Sequence, residues 1–258
     1  MISGGSNIVR SSLTVGKKVK ELLEVRSVTK RFGGLVVIDN LSFSICKGET
    51  LGLIGPNGAG KTTLFNLISG YYRPDQGKIT FLGRDISTLE PHEICEKGIA
   101  RTFQLVKPFS KMTVFDNIVV GALLRTKGME KARAEAEDII EMVGLNEARE
   151  APAKNLTMAK RKLLELARSI ATKPKLLLVD EVVAGLNAEE IDEVLALLKR
   201  IKSTGVTLCL VEHVMKAIMS VSDRILVLDR GAKVAEGSPE EVSIHKGVIQ
   251  AYLGRAYA

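Results

Sequence analysis

The sequence predicts an α/β protein with a parallel-sheet core, to which an antiparallel β lobe and a helical subdomain are attached. First, a glycine-rich loop at residues 55–63 lies between an apolar strand, 51–54, and an amphipathic helix. Second, residues 175–179 and 206–211 are continuous apolar runs of the length that suits buried parallel strands. Third, the apolar periodicity becomes helical between about residues 88 and 170.

The individual elements follow from the same patterns. Before the helical region, short β-branched runs alternate with turn residues, which is typical of a strand-rich lobe. These runs are 35–38, 41–45, 50–54 and 78–81. Within the helical region, segments 132–143 and 163–170 carry apolar residues at helical spacing. A helix between the two late apolar strands has one apolar face, formed by Ile191, Val194, Leu195, Leu198 and Ile201. Strand, helix and strand here form a β-α-β unit, which predicts a parallel pair.

The composition describes a globular protein, and its basic character does not select a partner. The 258 residues are 45% hydrophobic and 26% charged, which allows one large domain with a substantial core. The net charge of +7 would suit nucleic acid or an anionic membrane face, but the basic residues are dispersed along the chain. No apolar run approaches the ~18 residues of a membrane span. We therefore expect a cytosolic protein.

The cysteines and the chain ends carry little chemical information. Cys46, Cys95 and Cys209 are widely spaced and have no paired or histidine-adjacent pattern, which argues against a disulfide framework or a zinc site. Residues 1–20 are rich in Ser, Gly and Lys, lack a signal-peptide stretch, and are expected to form a flexible extension. The folded domain is then expected to span 21–254, with a short tail at 255–258.

The glycine-rich loop carries the strongest chemical signal. Its sequence is Gly-Pro-Asn-Gly-Ala-Gly-Lys-Thr-Thr. Glycines let successive backbone N–H groups turn toward phosphate oxygens, and the following helix presents the positive end of its dipole. The Lys61 ammonium would reach the β- and γ-phosphates, and the Thr62 hydroxyl would bind Mg²⁺. The loop therefore predicts a nucleoside triphosphate site formed by Gly55, Asn57, Gly58, Ala59, Gly60, Lys61, Thr62 and Thr63.

Two adjacent carboxylates, Asp180 and Glu181, end the first of the late apolar strands. Side chains alternate across a strand, so the two acids point in different directions and can do different work. Asp180 would hold Mg²⁺ beside Thr62, and Glu181 would orient or deprotonate the water that attacks the γ-phosphate. The alternative is a pair of acids that merely ends a strand at the surface. The phosphate loop upstream favours the catalytic interpretation.

These motifs, in this order, resemble those of the ATP-binding subunits of ABC transporters, and the resemblance covers about Leu22 to Gly254. It implies that Phe32 stacks on adenine. It also implies that Gln104 contacts Mg²⁺ or the attacking water and signals to the membrane subunit, and that His213 contacts the γ-phosphate. Each residue has a plainer alternative: core packing for Phe32, an exposed amide for Gln104 and a structural role for His213.

Within that family, three segments are most similar to ATP-binding subunits of branched-chain amino acid importers, especially the longer of the two paired subunits. The segments are 101–118, 184–187 and 248–254. Related importers of urea or short amides look similar. The resemblance implies an ATP-hydrolysing motor, bound peripherally at the cytoplasmic face of the membrane to integral-membrane permease subunits. It also implies a second ATP-binding subunit, as heterodimer or homodimer, and an indirect link to an extracytoplasmic substrate-binding protein. No nucleic acid partner is expected.

One motif departs from the family pattern. Where the family has Leu-Ser-Gly-Gly-Gln at the start of a helix, this chain has Leu-Thr-Met-Ala-Lys at 156–160. Thr157 keeps a hydroxyl that can cap the helix. Met158 and Ala159 replace two glycines, which hinders a positive φ or a close approach of the backbone to phosphate. We expect Thr157, Met158, Ala159 and Lys160 to face a nucleotide bound by the opposite subunit, at a site of slower turnover.

The same helix start gathers three cations, Lys160, Arg161 and Lys162. Positive charge is disfavoured there by the helix dipole, so the arrangement predicts that an anion docks against the three side chains.

Two other classes of protein are weighed against the transporter motor. A soluble ABC ATPase acting on nucleic acid or the ribosome would fit the pI of 9.3, but such proteins usually carry two ATP-binding units or a long inserted coiled coil. This chain has one phosphate loop and no sustained heptads. A regulatory module that binds ATP without hydrolysing it is suggested only by the altered motif, and Glu181 and His213 argue against it.

Overall fold

The computed structural model describes residues 21–104 and 107–248, so the predicted extension at 1–20, the tail at 255–258 and residues 249–254 lie outside the described residues. The strands are β1 Glu21–Phe32, β2 Leu35–Cys46, β3 Thr50–Ile54, β4 Gln76–Phe81, β5 Arg84–Asp85, β6 Ile99–Arg101, β7 Leu176–Asp180, β8 Thr207–Val211, β9 Arg224–Asp229 and β10 Ala232–Gly237. The helices are α1 Lys61–Ile68, α2 Pro91–Lys97, α3 Val114–Ala122, α4 Met129–Met142, α5 Met158–Ala171, α6 Ala188–Ser203, α7 Met215–Val221 and α8 Pro239–Ser243.

The core is a six-stranded sheet in the order β10-β9-β3-β8-β7-β6. Strands β9, β3, β8, β7 and β6 run parallel, and β10 returns antiparallel to β9. Strands β3, β7 and β8 are buried along their whole length, which explains why they read as continuous apolar runs. The predicted α/β class with a parallel core is therefore confirmed.

The antiparallel lobe and the helices cover the two faces of this core. Strands β2, β1, β4 and β5 form a second sheet, and its apolar side chains share one cluster with α1 and β3. Helices α3, α4 and α5 pack in another cluster against the opposite face. The stretch 88–170, expected to be helical, also contributes β6 to the core sheet. A strand of 3 residues is too short to show a period of its own, so periodicity could not reveal it.

Parallel strands bring their carboxyl ends to one edge of a sheet, and ligands bind at that edge in α/β folds. The loop 55–60 leaves β3 there, Asp180 and Glu181 end and follow β7, and Glu212 and His213 follow β8. All predicted chemistry on the core sheet therefore meets at one edge. In the described part of the chain, none of the helices combines the length and apolar character needed to cross a bilayer.

Candidate nucleotide-binding and hydrolysis site

The phosphate loop is held in place by backbone contacts from both sheets. Gly60, at the start of α1, has φ of +103°, and an added Cβ would lie 2.9 Å from the Val37 carbonyl oxygen. The Gly231 N–H, between β9 and β10, donates to the Ala59 carbonyl at 3.0 Å. The Gly231 carbonyl accepts from the Asp39 N–H, also at 3.0 Å. The loop is therefore pinned between the antiparallel lobe and the edge hairpin.

The Lys61 ammonium lies inside this loop. Its Nζ donates to the carbonyl oxygens of Gly55 at 2.7 Å and Pro56 at 3.1 Å, and the residue is only 6% exposed. Burial lowers the pKa of Lys61, although the nearby charges of Asp180 and Glu181 act in the opposite direction. The two carboxylates favour the charged form of Lys61, so a buried cation lies close to where phosphates would be bound.

The loop encloses a cavity of about 330 Å³ at the carboxyl edge of the core sheet. Its walls contain seven of the eight predicted loop residues, and the eighth, Gly55, binds Lys61 from behind. The lining residues are Val37, Asn57, Gly58, Ala59, Gly60, Lys61, Thr62, Thr63, Glu181 and His213. The structure thus brings together the phosphate loop, the second acid and the histidine, which are far apart in sequence.

Asp180 is buried at the end of β7 and paired with an arginine. Its Oδ2 accepts a hydrogen bond of 2.9 Å from Arg101, whose side chain is also buried. Burial raises the pKa of Asp180, and the Arg101 hydrogen bond counteracts part of that rise. Arg101 also donates to Asn66 and Ser69 on and after α1. One guanidinium therefore joins β6, β7 and the helix that follows the phosphate loop.

The three predicted magnesium ligands line a single cavity. Thr62, Gln104 and Asp180 all contribute to a space of about 500 Å³ next to the phosphate loop. They supply a hydroxyl, an amide carbonyl and a carboxylate, the oxygen donors that Mg²⁺ prefers. Among residues 21–104 and 107–248 there is no group of three His, Cys, Asp or Glu side chains able to cage a metal.

Glu181 stands between the other two predicted catalytic residues. Its Oε2 accepts from Gln104 Nε2 at 2.6 Å, and its Oε1 lies 2.9 Å from His213 Nε2. Since the Gln104 amide uses its nitrogen for this contact, its carbonyl oxygen is available for a metal or water. The three side chains form one hydrogen-bonded set that can orient a water molecule and accept its proton.

A buried polar cluster lies behind Glu181. Glu212 Oε1 accepts from the Val183 N–H at 2.9 Å, and its Oε2 has no hydrogen-bond partner in the described part of the chain. Burial raises the pKa of Glu212 to about 7, although the Val183 N–H and the Lys162 charge lower it. Lys162 is buried too, and its Nζ donates to the carbonyl oxygens of Glu181 and Ala184.

The altered motif forms the start of α5 and is largely exposed. Thr157 caps α5 by accepting from the Lys160 N–H at 3.3 Å, and Met158 is 64% exposed. None of the four residues Thr157, Met158, Ala159 and Lys160 lines the two cavities described above.

The prediction that one anion docks against the side chains of Lys160, Arg161 and Lys162 is wrong. Arg161 donates to the Lys154 carbonyl at 2.7 Å, and Lys162 turns into the interior. Only Lys160 of the three is exposed. Consecutive residues on a helix point about 100° apart, so three neighbours cannot face one ligand.

Phe32 lies at the end of β1 and is not part of the core. Its ring is 42% exposed and meets the edge of the Tyr72 ring at a centroid distance of 5.1 Å, with the Lys30 ammonium 5.5 Å from the ring centre. An exposed aromatic face of this kind can accept a planar base. Phe32 is not among the residues that line the phosphate-loop cavity.

Sequence reasoning gave no role to two residues whose side chains are buried next to the chemistry, Arg101 and Glu212, and it assigned the buried Lys162 to an anion site. Arg101 begins the segment 101–118, which served only for the resemblance and for Gln104, and Glu212 directly precedes His213. A signal for both was available, since a charged residue at the end of a short apolar strand requires a partner. The partner's identity is set by tertiary structure alone.

Comparison with known proteins agrees with this geometry. Residues 38–184 match the ABC transporter family. The high-affinity branched-chain amino acid transport ATP-binding protein BraF of Pseudomonas aeruginosa is 38% identical over 92% of this chain and 99% of its own length. LivG of Salmonella typhimurium, which carries the same description, is 41% identical over 91% of this chain and 98% of its own.

Solved structures give the same result. A nucleotide-free ATP-binding cassette from an ABC transporter matches with a TM-score of 0.82 and 29% identity, over 90% of this chain and 99% of that one. The ADP conformation of MJ1267, another ATP-binding cassette of an ABC transporter, also gives 0.82 at 29% identity, over 91% and 99% of the two chains. With a family match over more than half its length and relatives that align almost end to end, the chain belongs to the ABC transporter family, as one of its ATP-binding ATPase subunits.

Proposed function

We propose that this chain is the ATP-hydrolysing subunit of a membrane importer for branched-chain or other amino acids. The observation that carries the proposal is the nearly end-to-end similarity to proteins named for high-affinity branched-chain amino acid transport, at 38% and 41% identity. An importer of urea or a short amide is the nearest alternative, because substrate choice belongs to other subunits.

Hydrolysis would rest on positioning and charge stabilisation. The loop amides and Lys61 bind the phosphates of ATP. Thr62, Gln104 and Asp180 would hold Mg²⁺, which neutralises charge on the β- and γ-phosphates. Glu181 orients the attacking water and takes up its proton. His213, at 2.9 Å from Glu181, fixes that carboxylate and reaches toward the γ-phosphate.

A second ATP-binding subunit completes each site in this proposal. Thr157, Met158 and Lys160 are exposed, and none of the residues 157–160 lines the cavity of this chain's own phosphate loop, which supports a role for the motif in closing over a nucleotide held by a partner. In a heterodimer the two sites would differ. The site that uses this chain's Lys61 and Glu181 has its full set of catalytic groups, whereas the site closed by Met158 and Ala159 would turn over slowly.

The permease would dock beside the phosphate site. A groove of about 340 Å³ opens next to the metal-ligand cavity, and Arg101 and Phe103 line both. Its rim exposes large apolar side chains, which mark interaction surfaces in soluble chains. They are Tyr71, Phe103, Phe109 and Val120. A permease segment bound there would place the chain at the cytoplasmic face of the membrane and next to Gln104.

A tagged pull-down from gently solubilised membranes tests this proposal. We expect two multispanning permease subunits and a second ATP-binding subunit to be retained and identified by mass spectrometry. The associated extracytoplasmic binding protein would then be titrated with branched-chain amino acids, other amino acids and urea. Retention of ribosomes or nucleic acid without permease subunits would overturn the importer and favour a soluble ABC ATPase.

A further inference from the structure

Glu181 adopts a backbone conformation that residues with side chains rarely occupy. Its φ is +49°, in the left-handed region, directly after the extended strand β7. Such a conformation costs on the order of 1 kcal/mol or more and persists only where the surroundings enforce it. The direction in which the Glu181 carboxylate points depends on this conformation, because the turn sets the Cα–Cβ bond.

Three contacts hold the peptide groups of Glu181. Its N–H donates to the Val211 carbonyl at 2.9 Å, and its carbonyl accepts a longer bond of 3.4 Å from the Ala184 N–H. The third is the Lys162 ammonium, whose Nζ donates to the Glu181 carbonyl at 3.1 Å and also to the Ala184 carbonyl. Lys162 is the one side chain among these contacts, and it binds both ends of the turn 181–184.

The other side of that turn is held by Glu212. Its Oε1 accepts from the Val183 N–H at 2.9 Å. Two buried charged side chains therefore hold the backbone of residues 181–184. Lys162 donates to two carbonyl groups of this turn, and Glu212 accepts from one N–H. A buried ammonium is costly, and a methionine would fill the same space without that cost. The charge is useful only if the geometry of the turn matters.

We propose that Lys162 is a positioning residue for ATP hydrolysis, which sets the backbone of Glu181 so that its carboxylate meets Gln104, His213 and the attacking water. Lys162 does not reach the phosphate-loop cavity, and it acts through the peptide group of Glu181. Removing it leaves the phosphate loop and Phe32 intact, so hydrolysis is lost while nucleotide binding is kept.

The test compares Lys162→Met, Lys162→Arg and Arg161→Met in the full chain, purified with the subunits that copurify with it. Nucleotide affinity is measured with a fluorescent ATP analogue, and kcat by phosphate release. We expect kcat of Lys162→Met to fall roughly ten- to hundredfold, as for a misplaced catalytic group, with less than a twofold change in Kd. Lys162→Arg should recover most of the activity. Arg161→Met, which loses a bond to the Lys154 carbonyl in the turn before α5, should turn over like the wild type.

A double variant separates positioning from a general structural role. In a Glu181→Gln background, Lys162→Met should cause no further loss of kcat, because both changes disable the same group. Additive losses, a parallel loss of nucleotide binding, or wild-type turnover of Lys162→Met would each overturn the proposal. If Lys162→Met does not fold, Lys162→Gln is measured in its place. Glutamine keeps a hydrogen-bond donor on a shorter side chain, and the same results would overturn the proposal.

Discussion

The Arg101 guanidinium donates a hydrogen bond of 2.9 Å to Oδ2 of Asp180, and both side chains are almost fully buried. The guanidinium also lies over the rings of Phe65, at 5.6 Å, and Phe103, at 5.3 Å. Asp180 therefore depends on one buried cation for much of its charge compensation. Because Arg101 also lines the proposed permease groove, the same side chain connects that groove to the carboxylate that we propose holds Mg²⁺.

Replacing Arg101 with Met should destabilise the fold strongly. The change leaves the Asp180 carboxylate buried without its partner, and we expect the free energy of unfolding to fall by about 3 kcal/mol. Lys at this position should restore part of the loss, since it keeps the charge but not the forked geometry. Urea unfolding measures both. Arg73→Met, in an exposed pair with Glu90, should cost less than about 1 kcal/mol. Equal losses for the two Met variants would contradict the prediction.

Glu181→Gln should preserve ATP binding and nearly abolish hydrolysis. The amide keeps the shape and a hydrogen-bond acceptor but cannot take a proton from water. We expect kcat to fall by at least about a hundredfold, with little change in nucleotide Kd. Glu189→Gln, at the exposed start of α6, is the matched control. Turnover retained by Glu181→Gln would remove Glu181 from its proposed role.

Glu212 should make stability depend on pH. Burial raises its pKa from 4.5 to about 7, so the native protein keeps this proton where the unfolded chain has lost it. The stability that Glu212 contributes is complete below about pH 4.5 and is lost as the pH rises through 7. The loss amounts to about 3 kcal/mol of unfolding free energy.

Glu212→Gln removes this dependence and keeps an acceptor for the Val183 N–H. Between pH 5 and pH 8 the wild type should lose about 2 kcal/mol of unfolding free energy through Glu212, and the variant should not. The difference in unfolding free energy, variant minus wild type, should therefore rise by that amount. Urea unfolding at the two pH values measures the gain. Glu189→Gln accounts for the loss of one negative charge, and an equal pH dependence of Glu212→Gln and wild type would refute the prediction.

Phe32→Ala should weaken ATP binding. Stacking of a base on an aromatic ring contributes about 1–3 kcal/mol, so we expect a roughly tenfold rise in Kd, with kcat at saturating ATP little changed. Phe32→Trp should retain affinity. Leu35→Ala, a change at a 67% exposed residue on the neighbouring strand, is the control. An unchanged Kd for Phe32→Ala would show that adenine is held elsewhere.

Glycine at both 158 and 159 should raise ATP turnover in the assembled complex. The change restores backbone freedom where the segment would approach a partner's phosphates. Glycines also weaken a helix start, so Met129→Gly with Glu130→Gly, at the first two positions of α4, is the matched control for stability. A turnover rate equal to the wild type would count against unequal sites.

The features that could be located from the sequence alone are those formed by consecutive residues. The phosphate loop and the pair Asp180-Glu181 could be recognised because each follows an apolar strand. These strands, β3 and β7, are continuous apolar runs in the sequence. Helical periodicity located α4, α5 and α6 for the same reason. The short strand β6 escaped because 3 residues show no period.

The interactions that could not be predicted join residues that are far apart in the sequence. Asp180 is 79 residues from Arg101, and no local pattern states that they pair. Lys162 was misjudged because three adjacent cations were treated as one surface. Lys162 and Glu165 instead share the buried face of α5 with Leu166 and Ser169.

The bond from Gly231 to the Ala59 carbonyl has a consequence for the cost of binding. The phosphate loop is tied to a hairpin about 170 residues later in the chain, and that hairpin is tied to β2. The shape of the loop is therefore set when the domain folds, before a nucleotide arrives. Less chain entropy therefore has to be lost when a nucleotide binds, so a larger share of the free energy of the phosphate contacts appears as affinity.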